Sequence, residues 1–123
     1  MSNNGITRPV FSNNWFEVTT KPVWDRIIPQ INPRTALEIG SFEGASACYL
    51  IENSASNSSF ELHCIDTWGG SSDHKSAGTD MMAVEGKFIR NTNIAIEAGP
   101  SFVDLRVHKG YSIDVLSKLL SNL

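Results

Sequence analysis

Apolar positions along this chain come in two alternating patterns. Short continuous runs are separated by stripes of three- and four-residue spacing, which predicts strands interleaved with helices. The runs at 35–40, 60–66 and 102–108 read as strands. Between and after them, 43–53 reads as a helix, 54–59 as a Ser/Asn linker and 69–78 as a Gly/Ser loop. A long helix follows, with Met81, Val84, Phe88, Asn91 and Ala95 on one side and Gly99-Pro100 at its end. A last helix over 112–122 is expected to bury Ile113, Leu116, Leu119, Leu120 and Leu123. Ahead of the first strand, Thr20 can cap a short helix with Pro22 in its first turn and Val23, Trp24, Ile27 and Ile28 as its apolar face. Pro29 and Pro33 are expected to close that helix. Residues 1–14 are polar and read as a frayed arm that packs only through Val10 and Phe11. Strands alternating with helices predict an α/β fold with a parallel sheet and right-handed crossovers, one domain over 15–123.

Bulk composition narrows the class. A chain of 123 residues with 41% hydrophobic and 19% charged residues is a globular domain of moderate core size, not a disordered segment. The formal charge of −3, without any Lys/Arg run, gives nucleic-acid binding little support. No apolar stretch is long enough to span a bilayer and the N-terminus lacks a secretory signal, so a cytoplasmic location is expected. Cys48 and Cys64 have no metal-ligand spacing and read as buried thiols. His63 and His108 fall in strands without a paired acid or cysteine, so no metal site is expected. His74, beside Asp73, is either a base or lid residue or a solvated loop histidine. No Ser-His-Asp set can be assembled.

Candidate chemistry concentrates in Glu38-Ile39-Gly40-Ser41-Phe42-Glu43-Gly44, where a strand passes through a glycine-bearing turn into a helix. Gly40 allows a tight reversal and the approach of a ligand to the backbone. Glu38, at the strand end, can accept a hydrogen bond from a ligand amine. A nicotinamide dinucleotide fingerprint would need glycine where Phe42 stands, and no Gly-Lys-Ser/Thr follows to make a phosphate loop.

The ordered set Glu-x-Gly-x-x-x-Gly, Cys64-Ile65-Asp66-Thr67-Trp68-Gly69-Gly70 with His74 after it, Phe88-x-x-Asn91 and Lys109-Gly110-x-Ser112 resembles the class I S-adenosylmethionine-dependent methyltransferases. Within them it is most similar to a bacterial and phage branch carrying Ile-Asp-Thr-Trp-x-Gly-Gly. The resemblance spans about 35–120 and implies a Rossmann-like sheet in the order 3-2-1 with S-adenosylmethionine as cofactor. It also implies roles. Glu38 would take the cofactor's amino group, while Gly40 and Gly44 shape the turn beneath its methionine part. Ser41 and Ser46 would bond its carboxylate or simply serve the helix start. Asp66 would bind both ribose hydroxyls with its two oxygens. Thr67 and Trp68 would border adenine, although a tryptophan here can equally be core. Ser112 would lie at the adenine edge, or act as a helix N-cap with Asp114 in the first turn. Asn91 reads as a buried structural residue in preference to a ligand contact.

A complete enzyme of that family has further strands, with the fourth beside the first. The three seen here therefore imply a truncated domain with a bare edge on its first strand, and a homodimer formed through that edge. The catalytic residues and the methyl acceptor stay unassigned, and the chain alone is expected to be inactive. The rival readings are a non-enzymatic cofactor-binding or self-assembling module and, disfavoured by Phe42, a nicotinamide-dependent oxidoreductase.

Overall fold

A computed structural model describes residues 7–54, 58–70, 78–99 and 102–122. A π-helical turn, Phe16–Thr20, runs into α1 (Lys21–Ile31), followed by β1 (Thr35–Ile39), α2 (Ala45–Asn53), β2 (Ser59–Asp66), α3 (Met81–Ala98), β3 (Phe102–Lys109) and α4 (Ser112–Ser121). The three strands form an open parallel sheet in the order β1-β2-β3. This is the expected α/β, Rossmann-like architecture, with the alternation of strand and helix read from the sequence reproduced to within a residue or two.

The register sorts the sheet into two unlike faces. Leu37 pairs with His63 and His63 with Arg106, while Ala36 pairs with Leu62 and Leu62 with Leu105. Side chains alternate along a strand, so Ala36, Phe60, Leu62, Cys64, Val103 and Leu105 share one face. That face holds the core: Phe60, Leu62 and Cys64 are buried in one cluster with Ala47, Leu50 and Ile51 of α2 and Val84, Phe88 and Ala95 of α3. Asp80 starts α3 by accepting the N–H groups of Met82 and Ala83, and Gly99 ends it. Helix α1 is tied on through aromatic rings, with Trp24 and Phe16 both packed near Tyr49, whose hydroxyl donates to Asp25 at 2.7 Å.

Thr35, Leu37, Ile39, Glu61, His63, Ile65, Asp104, Arg106 and His108 share the opposite face. Ile65 is buried apart from the main cluster, under α4, the helix that packs on β2. On β1 this face is open: Leu37 is 46% and Ile39 57% exposed. The edge of β1 is open as well. Glu61 N–H donates to Arg34 O and Gly40 N–H to Ile65 O, so residues of that parity pair with β2. The backbone groups of Thr35, Leu37 and Ile39 therefore point away from the sheet, and among the described residues no backbone partner meets them.

Three details differ from the sequence expectations. Pro29 does not close α1, which continues to Ile31 and ends on Asn32 in the left-handed region, its N–H returning to Ile28 O. A proline's φ is already helical, so near a C-terminus it forfeits one hydrogen bond without stopping the chain. Helix α4 buries none of its apolar residues: Ile113 is 74% and Leu120 65% exposed, and Leu116 and Leu119 are half-buried. Among the described residues its main neighbour in the sheet is β2, too narrow a floor for the whole stripe; Leu123 lies outside the described residues. His63 does have an acid partner. Its Nε2 lies 2.6 Å from Glu61 Oε2 and its Nδ1 2.9 Å from His108 Nε2, with the two rings stacked. Burial, then the neighbouring His63 and Arg106, hold His108 below the ordinary histidine pKa. Spacing of two on one strand brings Glu61 and His63 to the same face, and the adjacent strand supplies His108. Among the described residues no group of three or more His, Cys, Asp or Glu is placed to hold a metal ion. Nor is any helix long and apolar enough to cross a membrane.

Candidate functional site

The site grows from the turn between β1 and α2. Gly40 at φ +82°, Phe42 at +49° and Gly44 at +92° reverse the chain within a few residues. A side chain at Gly44 would be strained by that φ and would place its Cβ 3.2 Å from Phe88 Cδ1, whereas the space above Gly40 is open. The turn therefore presses on the core at one end and leaves its backbone accessible at the other.

A second turn, after β2, is fastened to the first. Asp66 Oδ2 accepts Phe42 N–H at 2.9 Å, and Oδ1 accepts the N–H of Trp68, itself at φ +49°, at 2.9 Å. Trp68 Nε1 donates to Phe42 O at 2.9 Å, and the buried indole packs on Phe88. Two non-glycine residues in the left-handed region are thus held by one carboxylate and one indole, bonds that offset the cost of the conformation. Sequence reasoning treated Asp66 as a ligand residue only. Its structural task was invisible because the backbone donors it meets carry no sequence signature. Each of its oxygens keeps a second lone pair for another donor.

Glu38 lies at the other side of the turn. Ser46 Oγ donates to its Oε2, while Glu38 Oε1 and Ser41 Oγ are buried without a hydrogen bond of ordinary geometry, the Ser41 hydroxyl and the Cys64 thiol lying close to the carboxyl. Burial drives the Glu38 carboxyl above its ordinary range, against the pull of the Ser46 and Ser41 hydroxyls and the Cys64 thiol. Poorly satisfied buried oxygens are uncommon and costly, so two of them beside one turn mark a place where further hydrogen-bond partners are wanted. Cys48 and Cys64 behind it are free thiols pushed up to about 12 by burial, unsuited to nucleophilic work at neutral pH.

Three adjoining cavities meet at Gly40. One of about 300 Å³ is lined by Phe11, Asn13, Ser41, Glu43, Ser46 and Asp66. A second of about 340 Å³ runs past Asp66, Thr67 and Met81 to Tyr111 and Ser112. A third of about 430 Å³ reaches Glu38, Ser46, Trp15 and Trp24. Eight of the nine candidate residues thus line the groove or its turn. The ninth, Trp68, has its ring in the core. Thr67 Oγ1 is engaged with Gly69 N–H. Ser112 is not an N-cap: Tyr111 holds that position without a side-chain cap bond, and Ser112 opens onto the second cavity. Asp73 and His74 lie outside the described residues.

Two residues of the site were not named from the sequence as parts of it. Glu43, in the turn, is buried and accepts Ser12 N–H at 2.8 Å through Oε1, with Lys87 Nζ 3.5 Å from Oε2. Asn91, read as a buried structural residue, is fully buried and hydrogen-bonded to both the arm and the turn. Its place on the apolar stripe of α3 was the available signal, because a buried carboxamide must find partners.

A family model described as a methyltransferase domain matches residues 37–122, from the middle of β1 through α4. Comparison with curated proteins and with solved structures gave no match. The matched stretch contains both fastened turns, the end of β1 with all of β2 and β3, and every candidate residue of the groove, on a parallel α/β sheet of the expected order. The chain therefore belongs to the methyltransferase-domain family, of the class I, S-adenosylmethionine-dependent type.

Proposed function

We propose that this chain binds S-adenosylmethionine along the groove that meets at Gly40 and serves as the cofactor-binding part of a methyltransferase working in the cytoplasm. The observation that supports the reading is the buried Glu38 carboxyl beside the groove, whose Oε1, like the neighbouring Ser41 Oγ, makes no hydrogen bond of ordinary geometry. An ammonium group supplies Glu38 with a further, charged donor and a counter-charge that favours its ionised form. Asp66 has free lone pairs for two vicinal hydroxyls, and the cavity bounded by Met81, Tyr111 and Ser112 suits a planar base. The cofactor, when bound, supplies an electrophilic methyl group. The chain's own residues hold it in place, and alignment of donor and acceptor supplies much of the acceleration in such transfers. A dinucleotide fits less well, since Phe42 N–H, where a pyrophosphate would approach, is already committed to Asp66. Buried free thiols suit a reducing compartment.

The Glu38 environment sets a pH test. Its carboxyl is raised in the folded chain, so stability of the unliganded fold is full below the ordinary glutamate range and falls as pH rises through the raised value. An ammonium ligand reverses the preference. Affinity for S-adenosylhomocysteine, followed by calorimetry, is expected to climb by about tenfold or more as pH rises through the Glu38 titration, equivalent to roughly 1.4 kcal/mol. Glu38→Gln is expected to bind weakly and without that pH dependence. A flat wild-type profile, or wild-type affinity in the variant, would remove Glu38 from the site.

The exposed edge and outer face of β1 favour one addition: a second copy of the chain pairs there. Three strands and the described helices leave Leu37 and Ile39 half open and the outer edge of β1 unpaired. The same observation supports the reading of the chain as a partial domain that binds cofactor without turning over an acceptor. It also supports the alternative of a ligand-binding module that acts by self-assembly.

A further inference from the structure

The N-terminal arm is held against the groove by two buried side chains, on either side of Phe11, which packs partly on the core. Asn91 Oδ1 accepts Val10 N–H at 2.9 Å, and Asn91 Nδ2 donates to Val10 O at 3.0 Å and to Glu43 O at 3.1 Å. Two residues on, Ser12 N–H donates to Glu43 Oε1 at 2.8 Å. Both anchoring side chains are buried, yet the Val10 side chain is 58% exposed, so hydrophobic burial of Val10 is not what the clasp secures. What it sets is the path of the arm. Phe11 and Asn13, which alternate with the anchored residues, line the cavity shared with Gly40, Ser41 and Asp66. Both also line a larger cavity of about 540 Å³, so the two cavities meet at the arm.

We propose that Asn91 and Glu43 are positioning residues for ligand binding: by clamping the backbone at Val10 and Ser12 they make residues 10–13 one wall of the cofactor groove. This rests on the cofactor reading above. A wall held by a few hydrogen bonds is coupled to what it touches, so a ligand that packs on the arm also steadies the clasp, and the coupling is reciprocal.

Hydrogen exchange of the Val10 and Ser12 amides, with and without S-adenosylhomocysteine, tests this on the full chain alongside calorimetry. In the wild type both amides are expected to be protected and to slow further when ligand is added, a response that a purely structural clasp would not give. Glu43→Ala should free the Ser12 amide and weaken ligand binding by about tenfold, the scale of one hydrogen bond between ordered groups. Glu43→Gln, which keeps an acceptor for Ser12, should restore binding to near the wild-type value. Asn91→Ala should free Val10 with a similar loss; if that variant does not fold, the Glu43 pair decides. Wild-type affinity in a folded Glu43→Ala chain whose Ser12 amide exchanges freely would overturn the proposal. Failure of the wild type itself to bind S-adenosylhomocysteine would instead overturn the cofactor reading, and this inference with it, whatever the exchange of the unliganded arm shows.

Discussion

Asp66→Ala is expected to abolish measurable cofactor binding and to destabilise the fold by about 2–4 kcal/mol. The two losses have separate causes. The fold loses two charge-assisted hydrogen bonds to the N–H groups of Phe42 and Trp68, each contributing about 1.5–3 kcal/mol before relaxation. Both recipients sit in the left-handed region, so without the carboxylate their turns have less reason to stay there. The Trp68 Nε1 bond to Phe42 O survives and limits the damage. Against a domain stability of about 5–15 kcal/mol the variant should still fold, with a lowered urea midpoint. Binding is lost because the acceptor for the ribose hydroxyls is gone and the turn it shaped is loosened. Asp66→Asn keeps one carbonyl oxygen and should fall between the two in stability while binding at least tenfold more weakly than wild type. An unchanged urea midpoint in Asp66→Ala would refute the turn-fastening role. Unchanged affinity in a folded variant would refute the ribose role, and the two answers are independent.

The chain is expected to run as two copies, not one, in size exclusion coupled to light scattering at high micromolar concentration. The outward N–H and C=O groups of Thr35, Leu37 and Ile39 form a template for another strand, and this edge carries no lysine or proline to discourage pairing. Strand addition alone exchanges water hydrogen bonds for protein ones at small net gain. The larger gain is apolar, since pairing β1 with its counterpart brings the half-exposed Leu37 and Ile39 of each copy together at about 25 cal/mol per Å² covered. Two-fold closure satisfies both copies at once. Leu37→Lys sets like charges opposite each other and should return the mass to a single chain. Hydrogen exchange adds a finer signature. Ala36 and Glu38 amides, directed at β2, stay protected in either state, whereas Leu37 and Ile39 amides should slow only in the associated form. A single-chain mass with fast Leu37 and Ile39 exchange would rule the edge out as an interface.

The elements were readable because the apolar period reports which face of a segment is greasy. The stripe from Val84 through Phe88 to Ala95 is buried as its spacing implied, and the three runs pair in the order that alternating strands and helices require. Period does not report whether a partner lies beneath the face. Helix α4 carries a clear apolar stripe but covers little of the sheet, so Ile113 and Leu120 were expected inside and lie outside. The site was half readable for a similar reason. Glycines at positive φ and acids at strand ends announce a turn built for a ligand, and Gly40, Glu38 and Asp66 are where that pattern puts them. The bonds from Asp66 to Phe42 N–H, from Trp68 to Phe42 O and from Asn91 to Val10 join side chains to backbone groups remote in sequence. Backbone donors and acceptors are the same at every residue, so nothing in the amino-acid order singles out which one a carboxylate or an amide will meet.

The central claim is that the groove around Gly40 takes S-adenosylmethionine. Side-by-side calorimetric titration of the intact chain with S-adenosylmethionine, S-adenosylhomocysteine and a nicotinamide dinucleotide, above the titration of Glu38, tests it most directly. Saturable one-to-one binding of the two sulfur nucleosides, with the dinucleotide at least tenfold weaker, is the expected result. Tighter binding of the dinucleotide, or no heat from either sulfur nucleoside with a chain shown to be folded, would contradict it.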